Sequence, residues 1–282
     1  MPHPFCKSFL KWPGGKYRAL PHLLGLLPAG KRLVEPFVGS GTVFLNTSYA
    51  EYLLCDINSD VIGIFQQLCR RPAAFIADCR ALFTPENNCA ERYYALREAL
   101  NNAATCQERA ALFVYCNRHG YNGLVRYNKK GTYNVPFGRY KHPYFPEKEL
   151  HAFSTKCAHC GVSLAVQDFS RTFAAARAGD VIYCDPPYVP LSPTANFTAY
   201  AGASFAWEDQ RRLVQLAQEA TLRGSAVVLS NHDTAATRQL YSAAEVHSFP
   251  VRRSISCAAR GNAAELLALF VETPYPAPTR CG

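Results

Sequence analysis

The stretch that ends in Asp185, Pro186, Pro187 and Tyr188 carries the residue types best suited to chemistry. Proline lacks a backbone N–H and disfavours helix at the residue before it, so a strand over 181–184 must end in a stiff turn. We expect the Asp185 carboxylate and the Pro186 carbonyl to be fixed hydrogen-bond acceptors, with the Tyr188 ring as a stacking surface. Such acceptors bind both N–H groups of an aromatic amine, whose lone pair is otherwise delocalised. These four residues are therefore predicted to be catalytic.

A second candidate site combines a glycine turn with a carboxylate. In VEPFVGSGTVF, Gly39 and Gly41 flank Ser40 between a predicted strand and a helix, where glycine lets a ligand approach the backbone. Asp56 ends the next predicted strand, a position that binds a ribose diol in folds of this type. An N-cap for the following helix is an equal alternative for Asp56.

Three carboxylates are predicted to meet around one crevice, because Asp56, Asp168 and Asp185 all follow predicted strands. Like charges repel, so the crevice suits a cationic or hydroxyl-rich ligand better than a pyrophosphate. This disfavours NAD and ATP and favours a nucleoside with a positive centre, such as S-adenosylmethionine. The segment KWPGGK (11–16) lacks the spacing and the Ser/Thr of a phosphate loop. We expect its turn, flanked by Trp12 and Lys16, to close over a small ligand.

The net charge of +9 is concentrated in a segment without acidic residues, 109–146. This acid-free segment also holds tyrosines spaced between its Arg and Lys residues. Basic side chains neutralise phosphates, and aromatic rings stack on bases or wedge between them. A solvated basic face over core tyrosines is the alternative, but such a face normally mixes both signs of charge. The segment therefore favours a nucleic-acid partner.

Strand-like and helix-like segments alternate over much of the chain, which predicts an α/β fold with a mostly parallel sheet. The alternation stops between residues 72 and 146, where helical segments precede the basic, Gly- and Asn-rich part. We therefore predict a catalytic domain formed by 1–71 and 147–282, with 72–146 as an insert. The predicted strands are 33–37, 52–55, 162–166, 181–184, 226–230 and 266–271, and the predicted helices follow Gly41 and cover about 57–68 and 207–222.

Composition narrows the protein class. The 282 residues are 49% hydrophobic, which is enough for a sizeable core. No apolar run approaches the roughly 20 residues that span a membrane, and we expect a soluble cytoplasmic protein. Most of the twelve cysteines are scattered, several in apolar runs, as buried thiols are. Cys157 and Cys160 form a close pair, but they lack further ligands at zinc spacing, so a loop or helix end is favoured.

Seven blocks together resemble the DNA adenine-N6 methyltransferases of the Dam type, which modify GATC. Between about residues 9 and 270 the chain contains FLKWPGGK, VEPFVGSGTVFLN, CDINSD, RHGYNGLVRYN, NVPFGRYKHPYFP, YCDPPYVPLS and LSNHDT. DPPY alone also occurs in methyltransferases that act on other amino groups, so the combination and its order carry the resemblance. Two departures are Pro13, where alanine is expected, and the short, weakly basic link at 257–264.

The resemblance implies a Rossmann-like seven-stranded methyltransferase sheet with one antiparallel strand, and an inserted, mainly helical target-recognition domain with a β-hairpin or loop. It implies that S-adenosylmethionine is the cofactor and that its site is formed by Trp12, Lys16, Phe37, Gly39, Ser40, Gly41, Asp56, Asp168 and Asp185. It implies no metal and no membrane partner. It also implies no obligate protein partner, so we expect a monomer. The protein would be associated with a bacterial nucleoid or encoded by a phage.

The same resemblance implies double-stranded GATC DNA as the partner, with contacts from Lys11, Tyr121, Asn122, Leu124, Arg126, Asn128, Pro136, Arg139 and Tyr140. Tyr121 and Asn122 would enter the opened duplex, and Arg126 would read guanine. This agrees with elementary chemistry, because the Arg fork matches guanine O6 and N7 and a target base must be flipped out of its stack. The alternative for Tyr121 and Leu124 is ordinary packing. The alternatives for the function are methylation of RNA or protein, and an inactive DNA-binding module.

Overall fold

A computed structural model describes residues 5–189, 205–251 and 263–271. The strands in these ranges form one sheet in the order β3-β2-β1-β4-β5-β7-β6. β1 to β5 run parallel, and β7 lies antiparallel between β5 and β6. The predicted α/β sheet with one antiparallel strand is therefore confirmed. The strands are β1 (Arg32–Glu35), β2 (Glu51–Asp56), β3 (Gly161–Val166), β4 (Asp180–Cys184), β5 (Ala226–His232), β6 (Glu245–Val251) and β7 (Ala263–Phe270).

The strand predictions are confirmed to within a few residues, with one omission. β1 ends at Glu35, because Pro36 lacks the N–H that would continue the ladder. The apolar patterns did not predict β6, which lies at the sheet edge and is mostly partly exposed. It contains Pro250, a residue that sheets tolerate at their edges. The end of YCDPPYVPLS after Val189 and the link at 257–262 lie outside the described residues.

Helices cover both faces of the sheet, as the predicted fold class requires. The predicted helix at 207–222 has the observed bounds of α9. The one predicted at 57–68 begins two residues later, because the Asn58 side chain caps the N–H groups of Asp60 and Val61. The helices are α1 (Leu20–Leu26), α2 (Thr42–Asn46), α3 (Ser59–Arg70), α4 (Pro72–Leu82), α5 (Ala90–Asn102), α6 (Cys106–His119), α7 (Glu147–His159), α8 (Phe169–Ala174), α9 (Trp207–Leu222) and α10 (Ala235–Leu240). None of these helices is both long and apolar enough to cross a membrane.

Alternate residues of the central strands enter two separate cores. In β4, Val181 faces the core that contains α3, while Ile182 faces the core that contains α9. Leu33 and Val34 of β1 divide in the same way. Burial on both faces explains the nearly continuous apolar runs by which these strands were predicted.

Residues 72–146 connect α3 to α7 and contain α4, α5 and α6, followed by a loop-rich part. Two antiparallel bridges, Gly120 to Phe137 and Tyr127 to Tyr133, give this part a hairpin-like path. Its tyrosines divide between two environments: Tyr133 is buried and Tyr121 is half exposed. The division of the chain into two domains stays a prediction, and the buried side chains of this segment join the same core as one face of the sheet.

Asp60 of α3 attaches the loop-rich part to the sheet domain. Its buried carboxylate accepts a hydrogen bond from Arg109 of α6, with Nη2 and Oδ2 2.9 Å apart. Oδ2 also accepts one from the Tyr127 hydroxyl, 2.6 Å away. Removing one partner of a buried pair of carboxylate and guanidinium strongly lowers stability, because the remaining charge loses its counterion.

Asp60→Asn should lower the free energy of unfolding by about 3 kcal/mol, because the Arg109 charge then stays in place without its carboxylate. Urea denaturation followed by circular dichroism measures this loss. The matched control is Glu51→Gln, which removes a partly exposed ion pair with Lys31 and should cost less than about 1 kcal/mol. Equal losses in the two variants would contradict a special role for Asp60.

Candidate active site

The two halves of the sheet diverge between β1 and β4, which are neighbours although β2 and β3 separate them in the chain. Ligands of open α/β sheets bind beyond the carboxyl ends of strands at such a point. The glycine turn after β1 and the Asp-Pro-Pro-Tyr turn after β4 both lie there. The strand order therefore brings two of the sequence-predicted sites to one crevice.

Asp185 is held by two side chains from distant parts of the chain. Lys16 Nζ lies 2.9 Å from Asp185 Oδ1, and the Ser230 hydroxyl donates to the same oxygen over 3.0 Å. Burial raises the pKa of Asp185, while the charge of Lys16 and the hydrogen bonds from Lys16 and Ser230 act in the opposite direction. The Asp185 side chain keeps 22% of its surface exposed, so the paired carboxylate remains accessible to a ligand.

Lys16 connects the N-terminal glycine turn with the Asp-Pro-Pro-Tyr turn. Its ammonium also donates to the Gly14 carbonyl over 2.7 Å and lies 4.6 Å from the centre of the Tyr188 ring. An ammonium over an aromatic face is attracted by the ring quadrupole. KWPGGK (11–16) therefore contacts the predicted catalytic residues Asp185 and Tyr188, in addition to forming its own glycine turn.

The carbonyl groups of the Asp-Pro-Pro-Tyr turn differ in their partners. Gln210 donates to the Pro187 carbonyl over 2.9 Å, and Val189 is held on both sides by Asn231 and His232. Within the described ranges, no group donates a hydrogen bond to the Pro186 carbonyl. The turn is thus fixed by its C-terminal half, and no donor from the described residues competes for the Pro186 oxygen.

Tyr188 is held by two residues that sequence reasoning did not single out. Its hydroxyl donates to Glu265 Oε2 over 3.2 Å, and its ring packs edge-on against His232 with the centroids 4.7 Å apart. Glu265 and His232 are register partners in β7 and β5. Ser230, Asn231 and His232 belong to the block LSNHDT, so the resemblance pointed to these contacts of the turn. No local sequence pattern pointed to Glu265.

Asp56 organises the glycine turn. Its two carboxylate oxygens accept hydrogen bonds from the backbone N–H groups of Gly39 and Asn58, each over 2.9 Å. The N-cap of α3 is Asn58, so the alternative interpretation of Asp56 as that cap is wrong. Gly39 and Gly41 have φ of 48° and 70°, in the left-handed region that favours glycine. A Cβ on Gly39 would lie 2.9 Å from Trp12 Nε1, so Trp12 packs directly over this turn.

Ser40 and Trp12 line a cleft of about 250 Å³ on the N-terminal side of the glycine turn. The Ser40 hydroxyl is buried and pairs with that of Thr42 over 2.9 Å, and the Ser40 carbonyl accepts a hydrogen bond from Ser8. The cleft is lined by Lys7, Ser8, Leu10, Trp12, Gly15, Tyr17, Ser40 and Thr42. The structure thus joins the two predicted glycine turns along one wall of the crevice.

Phe37 and Asp168 lie on the other side of Asp56. The Phe37 ring stacks on Phe169, with the centroids 5.5 Å apart. Asp168 caps α8 through a 2.9 Å hydrogen bond from the Ser170 N–H, and Arg212 lies 3.8 Å from the same carboxylate oxygen. Asp168 is therefore near the crevice, but a helix cap and a cation already engage one of its oxygens.

Lys11 joins the N-terminal turn to the loop-rich part of the insert. Its ammonium lies 3.7 Å from the centre of the Tyr140 ring and donates to the Arg118 carbonyl over 3.1 Å. Burial, and then the charge of Arg118, lower the pKa of Lys11 to about 8. A Cβ on Gly123 would lie only 2.3 Å from Lys11 Cβ, so these two segments require the glycine.

Tyr121 and Asn122 project from a short 3-10 helix beside Lys11. The Tyr121 side chain is 50% exposed, and Asn122 adopts a φ of 51°, which is unusual for a residue with a side chain. The Tyr121 N–H donates to the Pro136 carbonyl over 2.8 Å, and the Leu124 N–H donates to the Tyr121 carbonyl over 3.1 Å. The half-exposed Tyr121 ring is inconsistent with simple core packing.

The remaining predicted DNA contacts lie along the hairpin-like path. Asn134 holds Arg126 through its side-chain oxygen, 2.7 Å from Nε, and through its carbonyl, 2.9 Å from Nη2. Asn128 uses its side-chain oxygen to close the turn to Lys130 and Thr132. Arg139 is exposed at a φ of 54°. The structure thus gathers Lys11, Tyr121, Leu124, Pro136 and Tyr140, while Asn128 lies at the tip of the hairpin.

Residues 12–255 match the model of the D12 class N6 adenine-specific DNA methyltransferases. The chain belongs to this family. It is 49% identical over 266 residues to a DNA adenine methylase of Escherichia coli (strain K12). The aligned residues make up 94% of this chain and 95% of that protein. A DNA adenine methylase of Salmonella typhi is 49% identical over 276 residues (95% and 98%), and one of Vibrio cholerae serotype O1 is 48% identical over 272 residues (95% and 97%).

One buried carboxyl of this methyltransferase was not predicted from sequence. Glu35, at the end of β1, is only 1% exposed, and its Oε1 has no hydrogen-bond partner among the described residues. Burial raises the pKa of Glu35 to about 8, an effect that Lys156 opposes and Asp185 strengthens. The folded protein therefore retains a proton on Glu35 that the unfolded chain releases above about pH 4.5.

Stability should consequently fall as the pH rises from about 5 to about 8, because the unfolded state binds fewer protons than the folded state in this window. Glu35→Gln removes the titration and should flatten this part of the stability curve by at least about 1.4 kcal/mol, the equivalent of one pKa unit. Urea denaturation at pH 5, 6, 7 and 8 measures the effect. Glu51→Gln should keep the decline, and parallel curves for wild type and Glu35→Gln would refute the protonated Glu35.

Proposed function

We propose that this protein transfers a methyl group from S-adenosylmethionine to N6 of a flipped adenine in double-stranded DNA, at GATC sites. The main support is the arrangement around Asp185, where a paired carboxylate and the available Pro186 carbonyl lie next to a glycine turn. The family is defined by N6 adenine-specific methylation of DNA, and its members are named accordingly in three bacteria. GATC specificity rests on the resemblance of the recognition blocks to Dam-type enzymes.

The residues around Asp56 fit S-adenosylmethionine. The turn at Gly39 leaves the backbone open to a ligand, and the Asp56 oxygens can accept further hydrogen bonds from ribose hydroxyls beside their two backbone donors. The Phe37–Phe169 stack and Ile57, which is 62% exposed, offer apolar surface for an adenine ring. When bound, S-adenosylmethionine supplies an electrophilic methyl group on a sulfonium centre.

The acceptors of the Asp-Pro-Pro-Tyr turn suit an adenine amino group. Lys16 and Ser230 both bind Asp185 Oδ1, which leaves Oδ2 for one N–H of the base. The Pro186 carbonyl accepts the other N–H, and the two acceptors together favour a pyramidal nitrogen with an available lone pair. Asp185 Oδ2 can also accept the proton that N6 releases as it gains the methyl group. Preorganised acceptors of this kind stabilise the charge that develops in the transition state.

The surface around Lys11 and Tyr121 suits DNA that has been opened at one base pair. Tyr121 is exposed and its backbone is fixed by Pro136, so its ring can fill the space that a flipped adenine leaves. Asn134 holds the Arg126 guanidinium in one orientation, which suits a two-bond contact with guanine.

Methyl incorporation from labelled S-adenosylmethionine into duplexes with one GATC site, compared with a scrambled duplex, tests the function. Asp185→Ala should lower turnover on GATC by at least about 100-fold, because it removes an acceptor that acts in the transition state. DNA affinity should be retained, since Asp185 contacts Lys16 and Ser230 and none of the residues proposed to bind DNA.

The matched control is Glu208→Ala, which removes an exposed carboxylate on α9 and should retain full activity. Equal labelling of both duplexes by the wild type would overturn the GATC specificity. Absence of labelling of either would overturn the activity, and an active Asp185→Ala variant would overturn the role of Asp185.

Arg126→Ala should relax base preference at one position of the site, at a cost of roughly 1–3 kcal/mol in discrimination. Competition between GATC duplexes with single substitutions measures this change. The control is Lys130→Ala, an exposed basic residue of the hairpin, which should weaken binding similarly for all sequences. Uniformly weaker binding by Arg126→Ala, with unchanged preference, would contradict guanine recognition by this residue.

A further inference from the structure

Two cysteine thiols outside the candidate active site lie unusually close together. Cys69 is the penultimate residue of α3, and Cys157 lies in the last turn of α7, a helix that packs against α3. A hydrogen bond joins their sulfurs, which are 2.9 Å apart. A disulfide bond is about 2.05 Å long, so a shift of about 0.9 Å would bring the sulfurs to bonding distance.

The two thiols are also partly accessible to solvent. Both are partly exposed, whereas Cys55 and Cys184 are buried in the sheet. The hydrogen bond with Cys157 lowers the pKa of Cys69, and the charge of Arg70 acts in the same direction against partial burial. The same hydrogen bond raises the pKa of Cys157. Thiolates are the reactive form of cysteine, so a hydrogen bond that lowers the pKa of one of the two thiols makes the pair more reactive.

The position of the pair along the chain gives a bond between them a structural consequence. Cys69 precedes the insert at 72–146, and Cys157 follows it, 88 residues later. A covalent link would therefore close the insert into one loop at its base. Cross-links across long loops reduce the freedom of the unfolded chain most strongly.

We propose that Cys69 and Cys157 form a redox modification site, at which a hydroperoxide converts the two thiols into a reversible disulfide that closes the base of the insert. Cys160 is the other candidate partner of Cys157. Its sulfur is directed toward the Lys156 carbonyl, 3.0 Å away, and burial raises the pKa of Cys160.

The chemistry balances in two steps. The thiolate of one of the two cysteines attacks the peroxide, an S–O bond forms, the O–O bond breaks, and hydroxide leaves and takes up a proton to become water. The thiol of the other cysteine then attacks the sulfenic acid, the S–S bond forms, the S–O bond breaks, and a second water leaves. Two thiols are oxidised and one hydrogen peroxide is reduced, and an added dithiol such as dithiothreitol reverses the change.

Peptide mapping after treatment of the full chain with hydrogen peroxide tests the link. Trypsin releases Cys69 in the peptide 33–70 and Cys157 in the peptide 157–171, which also hold Cys55 and Cys160 respectively. After alkylation of free thiols, we expect a cross-link between these two peptides that dithiothreitol removes. Fragment spectra should assign it to Cys69, and Cys160→Ser should retain it. A bond between Cys157 and Cys160, or peptides without a cross-link, would overturn the proposal.

Thermal unfolding provides a second, independent measurement. Oxidation should raise the melting temperature of the wild type by about 5 °C or more, because the closed loop is long, and dithiothreitol should reverse this rise. Cys69→Ser should show no such rise, whereas the matched control Cys89→Ser, which removes an exposed cysteine, should behave as the wild type. Closure of the insert would be overturned if oxidation also raised the melting temperature of Cys69→Ser. It would also be overturned if the melting temperature of the wild type did not rise although peptide mapping showed the link. Neither measurement depends on methyl transfer, so the outcome is separate from that of the proposed function.

Discussion

The ion pair between Lys16 and Asp185 joins parts of the chain that lie far apart in sequence. Two charges removed from water stabilise each other only when their remaining hydrogen-bond capacity is also satisfied. Gly14 and Ser230 meet this requirement, since one accepts from the ammonium and the other donates to the carboxylate. The ion pair therefore links the N-terminal turn, the Asp-Pro-Pro-Tyr turn and β5 to one another.

The same N-terminal segment also contacts the predicted insert at 72–146. Lys11, five residues before Lys16, contacts both Tyr140 and the Arg118 carbonyl. Asp60 makes a second connection from the opposite side, through Arg109 and Tyr127. A helix next to the glycine turn and a segment next to Asp185 thus both hold the loop-rich part of the insert. The surface around Lys11 and Tyr121 and the crevice around Asp185 are positioned by shared contacts, although their residues lie in different parts of the sequence.

Much of the sheet could be predicted from sequence, because strands buried on both faces give continuous apolar runs that end at Pro, Gly or Asp. β6 could not, since an edge strand with exposed residues and Pro250 lacks that pattern. In the site, Asp185 and Gly39 were evident from local spacing. Glu265 was not, because its contact with Tyr188 depends on the register of β7 against β5, which no local pattern encodes.

The packing of α3 against α7 has an evolutionary consequence. Because these helices lie side by side, the chain leaves the sheet and returns to it at neighbouring points. A segment that leaves and returns at neighbouring points can change in length without changing the order of the strands. Residues 72–146 can therefore diverge in length and sequence while the strand order around the crevice between β1 and β4 stays the same.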